Sequence, residues 1–211
     1  MKIDIYSDMV CPWCRIGKQN LNKALELWAS EGGEPAEITF RAFQLDPDLP
    51  PEGLPFKQAM TQKMGDSSRV QQATEQVTSA GAAVGLTYRF DRVQRMPNTK
   101  LAHRFVALLK PDLQERAVNA IFRAYFEEGR DIALFGEIEA IATELGEEAT
   151  AVLEQLRQGA GEDAVNADLE SASRIGVTGV PFFIFDNKYA LSGAYPPDKL
   201  VELMHRVKNS E

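Results

Sequence analysis

The hydrophobic pattern at the start of the chain predicts a strand, a helix and a second strand. Residues 2–6 alternate between polar and apolar positions with period two, which is typical of a half-buried strand. Apolar and small residues between Cys14 and Trp28 recur at steps of three and four, which predicts a helix over 14–30. The β-branched and aromatic segment 38–43 predicts another strand. This order indicates a βαβ unit with parallel strands and a right-handed crossover.

The middle of the chain has a helical pattern. Prolines concentrated between residues 47 and 55 interrupt the alternation and mark a departure from the sheet. The segment 113–128 is apolar over so wide an arc that we expect it at the centre of a helical bundle. Asp66 or Ser67 is suited to cap the helix that follows it. The predicted helices span residues 56–64, 67–84, 98–109, 113–128, 135–145, 147–157 and 162–175, with a short extended piece or loop at 86–90.

The end of the chain returns to strand patterns. A loop at 176–181 precedes an aromatic strand, a tight turn at 186–188 and a second strand, which together predict a β-hairpin. Buried positions in segment 198–207 predict a last helix. The sequence therefore predicts an α/β protein in which a helical domain separates a βαβ half from a ββα half. The predicted boundaries are 1–46, 47–160 and 161–211.

Composition and charge narrow the class of protein. The chain has 211 residues, of which 44% are hydrophobic, enough for a full core. Its net charge of −8 and the lack of a basic cluster argue against a nucleic-acid or anionic-membrane partner. No apolar run approaches the roughly 18 residues of a membrane span. Asp4 and Asp8 interrupt any signal-peptide pattern, so we expect a cytoplasmic protein.

The two cysteines of the chain, Cys11 and Cys14, enclose Pro12 and Trp13 at the predicted junction of strand and helix. A helix N-terminus stabilises a thiolate through its unpaired N–H groups and its dipole, and the thiolate is the form that attacks a disulfide. Proline favours the first helical position, so we expect Cys11 at the cap with an exposed sulfur. Cys14, one turn later on the same face, can attack a mixed disulfide formed by Cys11. We therefore predict Cys11 as the nucleophile, Cys14 as the resolving thiol, and a reversible disulfide between them.

Zinc binding and simple packing account less well for the cysteine pair. A zinc site needs three or four protein ligands, and the remaining candidates are only His103 and His205, in predicted helices of different regions. We therefore predict no metal site. The cysteines could also be packing residues, as buried thiols often are. A structural disulfide is not expected in a reducing compartment, and the strand-to-helix position favours redox chemistry.

The order of these features resembles the DsbA-like branch of the thioredoxin superfamily. The matching features are the βαβ start, Cys-Pro-Trp-Cys at the first helix, the helical insertion, and the ββα end. The resemblance implies a thioredoxin fold with an inserted all-helical domain. Gly179-Val180-Pro181, just before a strand, is a second match. It implies a cis bond before Pro181 beside the redox pair, with the backbone of Val180 available to pair with a bound polypeptide.

Several segments are also similar to the FrnE group of cytosolic dithiol oxidoreductases. Relatives of that group include 2-hydroxychromene-2-carboxylate isomerases and kappa-class glutathione transferases, in which the position of Cys11 is typically serine. A cysteine at this position favours thiol–disulfide exchange. The matching segments are Ser7 to Cys14, Pro97-Asn98-Thr99, Ala102-His103-Arg104, Ala124-Tyr125-Phe126, Gly176 to Pro181 and Ser192-Gly193-Ala194.

The resemblance also implies partners. It predicts disulfide-containing proteins, peptides or small molecules as substrates, no required cofactor, and glutathione as a candidate thiol co-substrate. Glutathione or a thioredoxin system would supply the reducing thiol, to a monomer or a homodimer. Tryptophan at position 13 cannot carry the charge of the histidine found in strongly oxidising relatives, so we expect a less oxidising couple. A glutathione-dependent transferase or isomerase, and a non-catalytic peptide-binding or holdase role, are the alternatives.

Three further residues allow two interpretations each. Trp13 either contacts substrate or packs on neighbouring helices. Asp8 either modulates the Cys11 thiolate or caps the helix, and the cap is favoured. For His103, a core position is favoured over proton transfer near the thiols. Asp8, His103 and Gly179 are candidate substrate-binding residues.

Overall fold

The computed structural model describes residues 1–209, so the last two residues of the predicted segment 161–211 lie outside the described range. The element order confirms the predicted βαβ start, helical middle and ββα end. In chain order the elements are β1 (Lys2–Ser7), α1 (Pro12–Ser30), β2 (Glu37–Ala42), β3 (Leu54–Pro55), α2 (Phe56–Met64), α3 (Ser67–Ala83), β4 (Arg95–Met96), α4 (Lys100–Leu108), α5 (Pro111–Phe126), α6 (Phe135–Leu145), α7 (Ala149–Arg157), α8 (Glu162–Arg174), β5 (Phe182–Phe185), β6 (Tyr189–Ser192) and α9 (Pro197–Asn209).

The main sheet has four strands in the order β2-β1-β5-β6. Strand β1 pairs parallel with β2 through the α1 crossover and antiparallel with β5. Strands β5 and β6 form the predicted hairpin, in which Asp186 and Asn187 have positive φ angles of 47° and 56°. Asp and Asn tolerate this left-handed conformation, which the tight hairpin turn requires.

Helices cover both faces of the sheet. The apolar sides of α1 and α9 pack on one face, where Leu21 and Met204 meet Ile5 and Phe183. Helix α8 covers the other face through Ala172. This is the thioredoxin arrangement that the resemblance implied, and it fixes the start of α1 above the carboxyl end of β1.

The helices between β2 and α8 form a second core around α5, as its broad apolar surface predicted. Phe122, Tyr125 and Phe126 of α5 are buried there. The insertion is helical apart from a ladder in which Leu54 of β3 faces Met96 of β4. Two-residue strands are too short to produce a period-two pattern, so this ladder was not predicted.

Prolines account for small shifts in the helix boundaries. Helix α1 begins at Pro12 rather than residue 14, and α5 begins at Pro111 rather than residue 113. Proline lacks the N–H that a first-turn residue would leave unpaired, so it starts these helices. Asp66 is confirmed as the cap of α3, because its carboxylate accepts a hydrogen bond from the Arg69 N–H. Within the described range, no helix is long and apolar enough to cross a membrane.

Candidate active site

Cys11 is the N-cap of α1, as predicted. Its backbone is extended (φ −91°, ψ 109°), and Pro12 occupies the first turn. The carbonyl oxygen of Cys11 accepts hydrogen bonds from the N–H groups of Cys14 (3.1 Å) and Arg15 (3.4 Å). The Cys11 N–H donates to the Asp8 carbonyl oxygen at 3.0 Å, which closes the turn between β1 and α1. Backbone hydrogen bonds therefore hold the Cys-Pro-Trp-Cys segment on both sides.

Both cysteines are free thiols and both are buried. The expected exposure of the Cys11 sulfur is wrong, because only 4% of the residue is accessible. Its Sγ donates to the carbonyl oxygen of Val180 at 3.5 Å. Cys11 also lines a cavity between the thioredoxin fold and the insertion, so a substrate would reach its sulfur from that cavity.

Cys14 lies one turn deeper, with 1% of its surface accessible. Burial is the main cause that holds the pKa of the Cys14 thiol well above its ordinary value. The adjacent Cys11 thiol raises this pKa further. The N–H of Asp8 and the hydroxyl of Ser7 act on this pKa in the opposite direction, because both interact with the sulfur. Cys14 is therefore a protonated thiol in contact with Cys11.

The loop before β5 completes the surroundings of Cys11. The Val180–Pro181 bond is cis, which confirms the bond that the resemblance implied. Gly17 of α1 allows this loop to come close, since a Cβ on Gly17 would lie 2.8 Å from the Cγ of Pro181. The carbonyl oxygen of Pro181 accepts a hydrogen bond from the Gly193 N–H at 2.8 Å. The loop brings Val180, rather than its neighbour Gly179, to the cavity.

The cavity beside Cys11, which we call the substrate cavity, has a volume of about 300 Å³. Trp13 lines it with 36% of its surface accessible, so the tryptophan ring is available to a ligand and also forms part of the wall. The lining is largely apolar and includes three methionines from the insertion. The residues are Val10, Cys11, Pro12, Trp13, Leu45, Phe56, Met60, Met64, Ala73, Thr74, Gln76, Val77, Phe90, Met96, Phe126 and Val180.

Tyr88 supports the motif from the insertion, a role that no local sequence pattern marks. Its hydroxyl donates to the carbonyl oxygen of Pro12 at 2.8 Å. The guanidinium of Arg15 lies over the Tyr88 ring, 5.3 Å from its centroid. Arg15 also donates to the Thr87 carbonyl oxygen at 2.8 Å and pairs with Glu127. These contacts fix the first turn of α1 against the loop between α3 and β4.

Asp8 does not cap α1, which corrects the favoured interpretation. One carboxylate oxygen accepts a hydrogen bond from the Leu45 N–H at 2.7 Å. The other lies 3.4 Å from Nε2 of His103. The carboxylate thus ties the segment after β2 to the turn before α1, while the cap residue is Cys11 itself.

His103 is buried, with 4% of its surface accessible, as the core interpretation predicted. Neither His103 nor Asp8 lines the substrate cavity. Among residues 1–209, no group of three or more His, Cys, Asp or Glu side chains is arranged to hold a metal ion.

Comparison with known proteins agrees with this architecture. Residues 2–205 match the model of the DSBA-like thioredoxin domain. The protein belongs to the DsbA-like family. It is 30% identical to the probable DsbA oxidoreductase SCO1869 from Streptomyces coelicolor, with a TM-score of 0.88 over 100% of this chain and 91% of that chain.

More distant structures share the fold of this DsbA-like protein. Cytosolic disulfide reductase DsbM from Pseudomonas aeruginosa, in a structure with GSH, has 17% identity and a TM-score of 0.70, covering 99% of this chain and 100% of that chain. A 2-hydroxychromene-2-carboxylate isomerase has 19% identity and a TM-score of 0.70, covering 99% of this chain and 95% of that chain. The fold shared with the isomerase agrees with the relatives that the sequence resemblance named.

Proposed function

We propose that this protein is a dithiol–disulfide oxidoreductase of the FrnE type, with Cys11 as the nucleophile and Cys14 as the resolving thiol. The observation that carries the proposal is the placement of two free, mutually contacting thiols at the start of α1, with the outer thiol facing a cavity. Membership of the DsbA-like family supports it. The form of a cysteine that attacks a disulfide is its thiolate.

The reaction proceeds in two exchanges. The Cys11 thiolate attacks one sulfur of a substrate disulfide, which forms a mixed disulfide and releases the other substrate sulfur as a thiolate. Cys14 then loses its proton and attacks Cys11, so that the Cys11–Cys14 bond forms and the bond to substrate breaks. The substrate disulfide is reduced by two electrons and the protein dithiol is oxidised. A thiol reductant then reduces the Cys11–Cys14 disulfide back to the dithiol.

The substrates of this reaction are disulfides with apolar surroundings, in proteins, peptides or small molecules. The apolar lining of the substrate cavity supports this choice, because it offers hydrophobic contact to groups flanking the disulfide. We further propose a cytoplasmic location, glutathione as thiol co-substrate, and a reductive or isomerising direction of exchange. The relation in fold to DsbM, a cytosolic disulfide reductase with a GSH-bound structure, supports these points.

A glutathione-dependent transferase or isomerase is the second candidate. Its support is the same substrate cavity, which at about 300 Å³ is large enough for an apolar co-substrate beside Cys11. The 2-hydroxychromene-2-carboxylate isomerase with the same fold supports it as well. In this case glutathione would bind at Cys11 without a change in oxidation state, and Cys14 would be dispensable.

Reduction of insulin disulfides by wild-type protein, Cys11→Ser and Cys14→Ser separates the two candidates. We expect loss of turnover in both variants, and a stable mixed disulfide in Cys14→Ser alone, since its Cys11 has no resolving partner. Equal insulin reduction by wild type and Cys11→Ser would refute the oxidoreductase. Conjugation of glutathione to an apolar electrophile that survives Cys14→Ser would favour the transferase. Urea unfolding of each variant checks that the fold is intact.

A further inference from the structure

One wall of the substrate cavity is the apolar side of α2. Phe56, Met60 and Met64 line the cavity, and they recur every four residues along this helix. Residues at this spacing lie on the same side of a helix. All three are half-buried, whereas Ala59 is a buried residue of α2. The apolar side of α2 is therefore directed to the cavity, and the position of α2 sets the width of the cavity.

A second part of the wall comes from the segment after β2. Leu45 lines the cavity with 40% of its surface accessible. The Leu45 N–H donates to the Asp8 carboxylate at 2.7 Å. On either side of Leu45, Gln44 donates to the side-chain oxygen of Asn98 at 3.2 Å, and Asn98 donates to the Leu49 carbonyl oxygen at 2.7 Å. These hydrogen bonds hold this part of the wall in place.

An ion pair joins the two parts of the wall. Nζ of Lys63 in α2 lies 2.5 Å from Oδ2 of Asp46. Asp46 directly follows Leu45, and Lys63 directly precedes Met64, so the pair lies beside two residues that line the cavity. The two side chains are 38% and 33% accessible, which places the pair on the solvent side of the wall. We call the Lys63–Asp46 pair the rim bridge.

The rim bridge is weak enough to open. An ion pair with this exposure favours its closed form over its open form by roughly two- to fivefold. The turn after α2 has room to follow such an opening, because Gly65 has a φ of 94° and a Cβ there would meet nothing within 4 Å. A ligand that needs a wider opening therefore meets a small penalty, and a ligand that fits the closed cavity meets none.

We propose that the rim bridge is a specificity determinant, which makes the substrate cavity favour compact disulfides over disulfides in folded proteins. The proposal rests on the oxidoreductase function proposed above, because it names the substrate class of the cavity beside Cys11. With the bridge closed, the cavity of about 300 Å³ admits a small-molecule disulfide or a flexible peptide. A folded protein brings its own surface to the rim, so Lys63 and Asp46 must separate first. These two residues determine access and do not touch the reacting sulfurs.

The test compares how fast Cys11 is alkylated by a small and by a bulky maleimide. It uses a Cys14→Ala background, in which Cys11 is the single thiol. The reagents are N-ethylmaleimide and a maleimide attached to a small folded protein, which share one chemistry and differ in size. We expect Asp46→Asn and Lys63→Met each to raise the rate with the protein-linked maleimide by roughly two- to fivefold, the value of an exposed ion pair. The rate with N-ethylmaleimide should stay the same.

Reversing both charges tests the pair itself. Asp46→Lys combined with Lys63→Glu restores an ion pair of opposite orientation and should return both rates to those of the parent. Lys57→Met is the matched control, because it removes the same charge from an exposed position in the first turn of α2. It should leave both rates unchanged. Unchanged rates with the protein-linked maleimide in both single variants would overturn the proposal. So would an equal rise of both rates with a lower urea midpoint, which would show a loosened structure.

Turnover with the complete dithiol separates this proposal from the proposed function. In Lys63→Met, kcat/KM for insulin should rise by roughly two- to fivefold, while kcat/KM for Ellman's reagent, a small aromatic disulfide, stays the same. An unchanged ratio of the two values would overturn the rim bridge as a specificity determinant. A protein that reduces neither disulfide, yet shows the expected alkylation rates, would refute the proposed function and leave the rim bridge as a determinant of access to Cys11.

Discussion

The thiol of Cys11 lies 3.5 Å from the carbonyl oxygen of Val180, a residue 169 positions later in the chain. The contact depends on how closely the first turns of α1 approach the loop before β5. Gly17 faces Pro181 at that point, and the absence of a side chain on Gly17 sets the distance between the two segments. The position of a glycine on α1 therefore controls the surroundings of Cys11.

Gly17→Ala should destabilise the protein and move Pro181 away from Cys11. The new Cβ would lie 2.8 Å from Pro181 Cγ and 3.2 Å from the ring of Phe183, so the loop must shift. We expect a loss of roughly 1–3 kcal/mol in the free energy of unfolding, typical of an overpacked site. Urea denaturation measures it, and the rate of Cys11 alkylation reports the altered surroundings.

Gly136→Ala is the control for this substitution. Gly136 is also helical, but a Cβ there would meet nothing within 4 Å. Alanine favours a helix over glycine by up to about 1 kcal/mol, so we expect unchanged or higher stability. If the two variants behaved alike, the close approach at Gly17 would not limit the packing.

Tyr88→Phe should weaken the contact between the insertion and the Cys-Pro-Trp-Cys segment while the packing of the core stays the same. The substitution removes the 2.8 Å hydrogen bond from the hydroxyl to the Pro12 carbonyl oxygen and keeps the ring. We expect a loss of about 1 kcal/mol in unfolding free energy, the usual value of one such bond. The rate of Cys11 alkylation should change as well.

Tyr195→Phe removes a hydroxyl from an exposed ring and serves as the control. It should leave the stability and the alkylation rate as they are. A Tyr88→Phe protein with wild-type stability and wild-type Cys11 reactivity would show that the hydroxyl does not hold the motif.

Met60→Glu should lower kcat/KM for insulin more than tenfold. Met60 is part of the apolar wall of the substrate cavity. A carboxylate there would lose hydration when an apolar substrate enters, which costs well over about 1 kcal/mol. Gln62→Glu adds the same charge to an exposed position of α2 and should keep the wild-type kcat/KM. Comparable losses in the two variants would mean that charge repulsion at a distance, rather than the cavity wall, is responsible.

The buried thiol of Cys14 should make the reduced protein less stable in alkali. Its pKa is raised in the folded state, so the folded protein keeps a proton that the unfolded chain releases above the ordinary thiol pKa of about 8.5. The stabilisation is complete below that pH and is lost as the pH rises toward the folded pKa, by up to about 1.4 kcal/mol per pH unit. Urea unfolding between about pH 7 and 10, without oxygen, measures this slope.

Cys14→Ala removes the titrating group and should reduce the slope, since the other ionisable residues are the same in both proteins. Identical slopes for the wild type and Cys14→Ala would show that the thiol ionises equally in the folded and unfolded states.

The sequence predicted the elements that are long or that contain a characteristic local pattern, such as a proline at a helix start or a tight turn. The period-two alternation of β1, the proline after Cys11 and the hairpin before α9 each have a strong local pattern. The cis bond at Pro181 followed from a resemblance carried by the neighbouring Gly179 and Val180. These features were predictable because each depends on a few residues that are adjacent in the chain.

Contacts between distant segments were not predictable from such patterns. Tyr88 lies in a loop 76 positions from Pro12, and nothing in its neighbourhood marks it as a partner of the motif. The burial of Cys11 was missed for the same reason, because helices of the insertion cover a cap residue that would otherwise face solvent. The role of Asp8 was misassigned because a long-range backbone N–H, that of Leu45, takes its carboxylate.

Cys11 and Cys14 pack in the hydrophobic cluster of the insertion, with Phe105 and Phe122, rather than in the cluster beneath the sheet. The two cysteines and the apolar walls of the adjacent cavity therefore belong to the same packed cluster. Under the proposed function, a mutation that reshapes the walls to admit a different disulfide would also alter the environment of the sulfurs, and with it their reduction potential. On that function, a change of substrate range and an unchanged reduction potential would be difficult to combine in this protein.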